Sequence, residues 1–200
     1  MSFELFGALT VFALATLFTP GPNNVMLMTS GVNFGFSRTW PHTLGVSLGF
    51  GFMVLVVGLG LGAVFSAYPV LYTIVKYAGA AYLLYLAWLI GRSHEVDSKG
   101  GEKGRPLTFL EASAFQWVNP KAWVMAIGAV SAYAGITGFP ANMVAIAAVF
   151  GVLGTVSAIV WVLFGTALKR FITNHRAVRI FNLTMAGLLV LSLVPVFLEG

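Results

Sequence analysis

The chain has no cysteine and almost no charge. Without a thiol there are no disulfides, no thiolate metal sites and no thiol redox chemistry. Charged residues make up only 8% of the 200 positions, against roughly 25% in soluble domains. With 58% hydrophobic residues, a soluble fold cannot clothe this chain in water, and it reads as one integral membrane domain over residues 1–200. The net charge of +5 does not point to nucleic acid, because the basic residues lie between apolar runs, where membrane orientation accounts for them. Met1-Ser2-Phe3-Glu4 has no basic leader and no small-residue cleavage site, so the first apolar run reads as a retained span.

A helix needs about 20 apolar residues to cross the hydrocarbon core. Six stretches qualify: about Leu5–Ser30, Thr43–Phe65, Val70–Ile90, Leu107–Tyr133, Ala141–Leu168 and Val178–Leu198. The one linker-like stretch runs from Arg92 to Pro106 and holds Lys99, Gly100, Gly101, Lys103 and Gly104. Arg38, Arg92, Lys99, Lys103, Arg105, Lys169, Arg170, Arg176 and Arg179 then fall on one side, with Lys76 alone on the other. Basic residues prefer the cytoplasmic side, which puts both termini outside. Gly45 and Gly49, and Gly58 and Gly62, are spaced four apart, as in closely packed membrane helices.

Two of the apolar runs are interrupted. Thr19-Pro20-Gly21-Pro22-Asn23-Asn24 breaks the first, and Val118-Asn119-Pro120-Lys121 breaks the fourth. Proline removes a backbone donor and clashes with the carbonyl four residues back. The freed groups are tolerated only where protein covers them or where they line a wet cavity. Paired interruptions in matching halves mark a transporter's binding site. The expected architecture is therefore all-α, with six spans as two inverted three-helix repeats. Repeat one is about 1–91, the cytoplasmic loop about 92–106 and repeat two about 107–200, with Ala78-Gly79 and Ala186-Gly187 as corresponding positions.

Lys121 lies about 14 residues into the fourth span, near mid-membrane at about 1.5 Å per residue. A lysine there costs at least about 2.5 kcal/mol, and no acidic residue lies at that depth to pair with it. It either binds carbonyls released by the break or meets a substrate carboxylate. Helix starts after Pro22 and Pro120 favour a carboxylate, and Asn23, Asn24 and Asn119 supply donors and acceptors.

Other patterns carry less. Gly45-Val46-Ser47-Leu48-Gly49 matches a nucleophile elbow near His42, but it lies in a helical run without a strand-to-helix turn. Asn182-Leu183-Thr184 is a sequon inside a span. His42, His94 and His175 are too far apart in sequence to suggest a metal site. Tyr77, Tyr82, Tyr85 and Trp88 read as lipid-facing or interfacial. No cofactor is implied.

Pro20-Gly21-Pro22-Asn23, followed by Gly35, Arg38, Gly45 and Gly49, resembles the lysine exporter (LysE/RhtB) family of amino-acid efflux proteins. Asn119-Pro120-Lys121-Ala122 resembles that family's second motif, and the likeness extends to length and layout. The resemblance implies proton-driven amino-acid export from a bacterial cytoplasmic membrane. It carries substrate contact onto Pro20, Gly21, Pro22, Asn23, Asn119, Pro120 and Lys121.

Members that export cationic amino acids often have an acidic residue just after the position of Gly49. Here Phe50 follows. Phe50 and the run at 78–82 look similar to the cysteine and O-acetylserine branch, with homoserine, threonine and leucine exporters as rivals. A neutral substrate is expected, since an unpaired buried charge is expensive. Glu111 and His42 are the nearest candidates for carrying the coupled proton. An uncoupled channel or a membrane scaffold is the competing class, and an intramembrane enzyme lacks paired catalytic groups. The oligomeric state stays open, with a homodimer allowed.

Overall fold

Two prolines at the first helical position divide the apolar runs into half-helices. The computed structural model describes residues 2–92, 104–172 and 175–194. Helix α1 (Phe3–Phe18) ends ahead of Pro20, and α2 (Pro22–Phe34) restarts with Pro22 in its first turn. The pair is bent by 56°. Proline suits this position because its missing N–H would have had no helical partner there. The same device separates α6 (Phe109–Gln116) from α7 (Pro120–Tyr133), with Asn119 as the N-cap.

The long helices are α3 (Phe36–Val56), α5 (Pro69–Arg92) and α8 (Ala141–Leu168). Between α3 and α5 lie a π-helical turn at Val57–Leu61 and the short α4 (Gly62–Ala67). Gly60 at φ 139° kinks the chain in that turn, a conformation closed to side chains with a Cβ. The last described helix is α9 (His175–Leu191).

Three described helical stretches are long and apolar enough to cross a membrane: Phe36–Val64, Thr73–Arg92 and Ala141–Phe171. The bent pair α1–α2 makes four if it counts as one span. The expected fifth span matches α8 at both ends, while the second begins well before Thr43 because α3 extends back to Phe36. Gly35 at φ 76° allows α3 to start there, directly after α2. His42 therefore sits inside a helix and is buried. Lys99, Lys103, Gly100, Gly101, His94 and the end of the sixth expected span lie outside the described residues.

Helix α3 packs along α8 and against α6, α2 packs on α8, and α5 packs on α9. Glycine permits these approaches. A Cβ on Gly45 would come within 2.5 Å of the Phe109 carbonyl, and one on Gly49 within 2.6 Å of Ser113 Cα. The spacing read from sequence is thus the seam between α3 and α6, where Ser113 Oγ donates to the Gly45 carbonyl at 3.1 Å. Gly79 of α5 lies directly against the Val118 carbonyl, whereas Gly187 has nothing close to it, so the two are not equivalent in packing.

Three apolar clusters hold the bundle among the described residues, the smallest joining Leu27, Val46, Ala112, Ala158 and Val162. Of the larger two, one joins Leu9, Phe50, Met53, Trp123, Ile146 and Phe150, and the other joins Val25, Met26, Leu83, Phe115, Phe181 and Leu189. The buried polar positions that concern function fall along α2, α3 and the two breaks. Large apolar side chains remain exposed around the outside, among them Phe52, Tyr85, Trp88 and Val152. Tyr82 departs from the lipid-facing expectation. It is half-buried, with its ring 5.8 Å from that of Phe115.

Candidate functional site

The site is built where the two breaks meet. Lys121 projects from the first turn of α7, and its Nζ donates to the Thr19 carbonyl at 2.6 Å. Thr19 is the C-cap of α1, so its carbonyl is one that the break releases from the helical ladder. The Asn24 amide reaches back from α2 and donates to the Leu17 and Thr19 carbonyls, each at 2.9 Å. Ser157 of α8 donates to the same Leu17 carbonyl at 3.0 Å. The Leu17 and Thr19 carbonyls, which face the break at the end of α1, are thereby satisfied within the protein.

Gly21 provides space for the lysine. Its backbone is extended and open to any residue, but a Cβ there would lie 2.9 Å from Lys121 Cδ and 3.1 Å from Nζ. Pro20 is exposed and Pro22 is buried at the start of α2. No side chain caps α2. Across the gap, Asn119 Oδ1 accepts from the Lys121 backbone N–H at 3.2 Å, which fixes the start of α7 at Pro120.

Asn23 turns the other way. Its amide and that of Gln116, the last residue of α6, bond reciprocally at 2.8 and 3.2 Å. Gln116 is fully buried and also donates to the Ala112 carbonyl at 2.8 Å. Sequence reasoning missed Gln116. A glutamine just before the second break, in a run with almost no other amides, was the available signal.

Between these groups lies a small cavity of about 40 Å³. It is touched by Gly21, Asn23, Asn24, Asn119 and Lys121 of the expected set, and walled also by Thr16, Ser47, Phe50, Met125 and Ser157. The breaks supply amides, a cation and hydroxyls, while Phe50 and Met125 supply apolar surface. No acidic side chain lines it. The lining offers donors and acceptors of the kinds that a zwitterion needs, though the cavity as it stands is only a few waters in size, and it has no paired groups for nucleophilic or acid–base catalysis. Ser47, at the centre of the discarded elbow pattern, lies within α3 and donates to the Thr43 carbonyl at 3.0 Å.

The two proton candidates are elsewhere and differ. Glu111 closes a capping box with Thr108 and takes a bidentate ion pair from Arg105, both contacts at 2.6 Å. Arg105 precedes the fourth apolar run, and the Glu111 hydrogen bond raises its guanidinium above the ordinary value. His42 is buried on α3, with Nδ1 3.0 Å from Ser30 Oγ. His42 Nε2 has no hydrogen-bond partner among the described residues. Among those residues no group of three or more acidic, histidine or cysteine side chains could hold a metal ion.

A family model described as LysE type translocator matches residues 14–198. The cysteine/O-acetylserine efflux proteins of Escherichia coli (strain K12) and Shigella sonnei (strain Ss046) are each 30% identical over 201 residues, covering 98% of this chain and 100% of the relative. That of Shigella flexneri serotype 5b is 30% identical over 197 residues, covering 96% of this chain and 97% of its own. No solved structure matches.

Proposed function

The chain belongs to the LysE type translocator family, and on that premise we propose that it is a secondary transporter exporting a small neutral amino acid. The substrate class is that of the relatives, cysteine or O-acetylserine, with homoserine, threonine and leucine as competitors for the same site. The observation that carries the reading is the bond from Lys121 to the Thr19 carbonyl, which joins two helix breaks 102 residues apart. A substrate carboxylate would take Lys121 together with the helix starts at Pro22 and Pro120. Its ammonium would take carbonyls that Lys121 and Asn24 now occupy, with Asn23 and Asn119 completing the shell. Its side chain would lie toward Ser47, Phe50, Met125 and Ser157. The absence of an acidic wall disfavours lysine and arginine.

In this reading the protein lies in a bacterial inner membrane, with both termini outside, as one domain of two inverted repeats. Packing of α3 on α8 and of α5 on α9 supports the repeat, because a two-fold axis pairs the second span with the fifth and the third with the sixth. Coupling to protons belongs to the reading, with Glu111 and His42 as carriers to be tested. The deciding experiment is uptake of an amino-acid panel into inside-out vesicles, with and without a pH gradient. Gradient-dependent uptake of O-acetylserine or cysteine but not arginine is expected. Selective arginine uptake, or equal flux without a gradient, would overturn the substrate or the coupling respectively. A periplasm-dependent reporter fused after Gly200 should be active.

A further inference from the structure

A second cavity lies at the other end of α2. It measures about 240 Å³, against about 40 Å³ at the breaks, which leaves room for only a few waters. Thr29, Ser30 and Asn33 face it from α2, His42 from α3, and Arg105 from the stretch before α6. Leu86, Leu89 and Ile90 of α5 form an apolar wall opposite. We propose that this cavity is a second binding site for the same neutral amino acid, where it waits before moving to the breaks. The proposal rests on the export reading above.

Three observations support it. The first is chemical fit. Glu111 occupies the two terminal nitrogens of the Arg105 guanidinium and neutralises its charge, so Arg105 offers a carboxylate only its remaining N–H groups, and Thr29, Ser30 and Asn33 supply the other polar contacts. The C-terminal end of α2, with Phe34 in the cavity wall, carries partial negative charge that suits an ammonium. The aliphatic wall suits a short uncharged side chain.

The second is His42. A buried polar atom without a partner is rare in a folded protein, and a ligand or water commonly completes it. Ser30 engages Nδ1, and Nε2 has no partner among the described residues and is closed off in this structure, so a ligand in the cavity reaches it only when the lining shifts.

The third is continuity. Thr29, Ser30 and Asn33 follow Met26 at helical spacing on one face of α2, and Asn23 and Asn24 begin the same helix at the breaks. On α3, His42 belongs to the second cavity and Ser47 to the first, with buried Thr43 between them. Between the two cavities α2 carries the apolar run Val25–Met28, so Thr43 on α3, whose hydroxyl donates to the Thr39 carbonyl, is the polar residue that bridges them. Arg38 and Arg105 mark this end as the basic one, the side from which export would start.

The absence of cysteine makes the test direct. Asn33→Cys, and separately Leu89→Cys on the opposite wall, are treated with a small membrane-impermeant methanethiosulfonate in inside-out and right-side-out vesicles. Modification is expected from the cytoplasmic face, slowed at least threefold by saturating O-acetylserine. The slowing should persist when Lys121→Met is added, since that change disables only the break site. Protection that vanishes with Lys121→Met would mean that it is transmitted from the breaks, and would overturn the second site. Modification of both cysteines from the outer face alone would overturn it as well. If instead Lys121→Met exports normally while cavity protection holds, the break-site reading fails and the second site stands.

Discussion

The Lys121 ammonium and the Thr19 carbonyl are 2.6 Å apart, although 102 residues separate them in the chain. The contact gives the lysine a partner from the other half of the protein and adds a second donor to a carbonyl that Asn24 also engages. The lysine is a cation in an apolar run, and the carbonyl is one stranded by a proline break.

Replacing Lys121 with Met is expected to cut export at least tenfold while membrane abundance stays within twofold. Methionine keeps much of the volume and removes a charge that costs at least about 2.5 kcal/mol at such depth. Vesicle uptake and immunoblotting read the two quantities. Normal uptake at normal abundance would make Lys121 purely structural.

Gly21→Ala is expected to act through Lys121. The new methyl would sit 2.9 Å from Lys121 Cδ, so the lysine must shift off Thr19. The atoms it meets are the far end of a flexible side chain, so the loss is expected to fall below the roughly 1–3 kcal/mol of overpacking against fixed atoms. In a Lys121→Ala background the same change should be nearly neutral, a coupling that thermal melts of the four proteins would measure. Equal losses in both backgrounds would place the clash elsewhere.

Asn23→Ala and Gln116→Ala should each destabilise by about 1–3 kcal/mol, because each takes a donor and an acceptor from the other's amide beside the break, although Gln116 keeps its bond to the Ala112 carbonyl. The double change should cost clearly less than the sum. Additive losses would show that the two amides do not depend on each other in solution.

Gly79→Ala should reduce the yield of folded protein, because its methyl would run into the Val118 carbonyl. Gly187→Ala, with open space around it, should stay within about 0.5 kcal/mol of the parent. Fluorescence-detected size-exclusion melts distinguish them. Similar behaviour of the two variants would refute the close packing of α5 on the second break.

Which residues interrupt the helices was largely readable because prolines and amides are conspicuous in an apolar chain. Pro20, Pro22 and Pro120 marked the half-helices, and Gly45 and Gly49 marked the α3–α6 seam. How those residues pair was not readable. Gln116 joining Asn23, and Ser157 meeting Leu17, depend on which helices lie side by side, and short-range periodicity holds no information about that. The early start of α3 was missed for a similar reason. Gly35 can either end a helix or turn directly into another, and only the packing against α2 and α6 decides. His42 was placed at a span edge as a result, when it lies buried.

The elbow between α1 and α2 is a brace. One amide, Asn24 on the second arm, grips two carbonyls on the first, and Ser157 pins one of them to α8. An angle held at three points resists flexing, so the two arms should travel as one stiff unit. Compliance would then fall where the backbone takes a conformation that only glycine holds readily. Gly60, at φ 139°, lies in the π-helical turn beyond α3 with nothing within 4 Å of where a Cβ would be, whereas the Gly35 carbonyl is tied by Thr39 Oγ1 at 2.7 Å. A machine built this way would flex beyond the far end of α3 and leave the bent arm unchanged in shape.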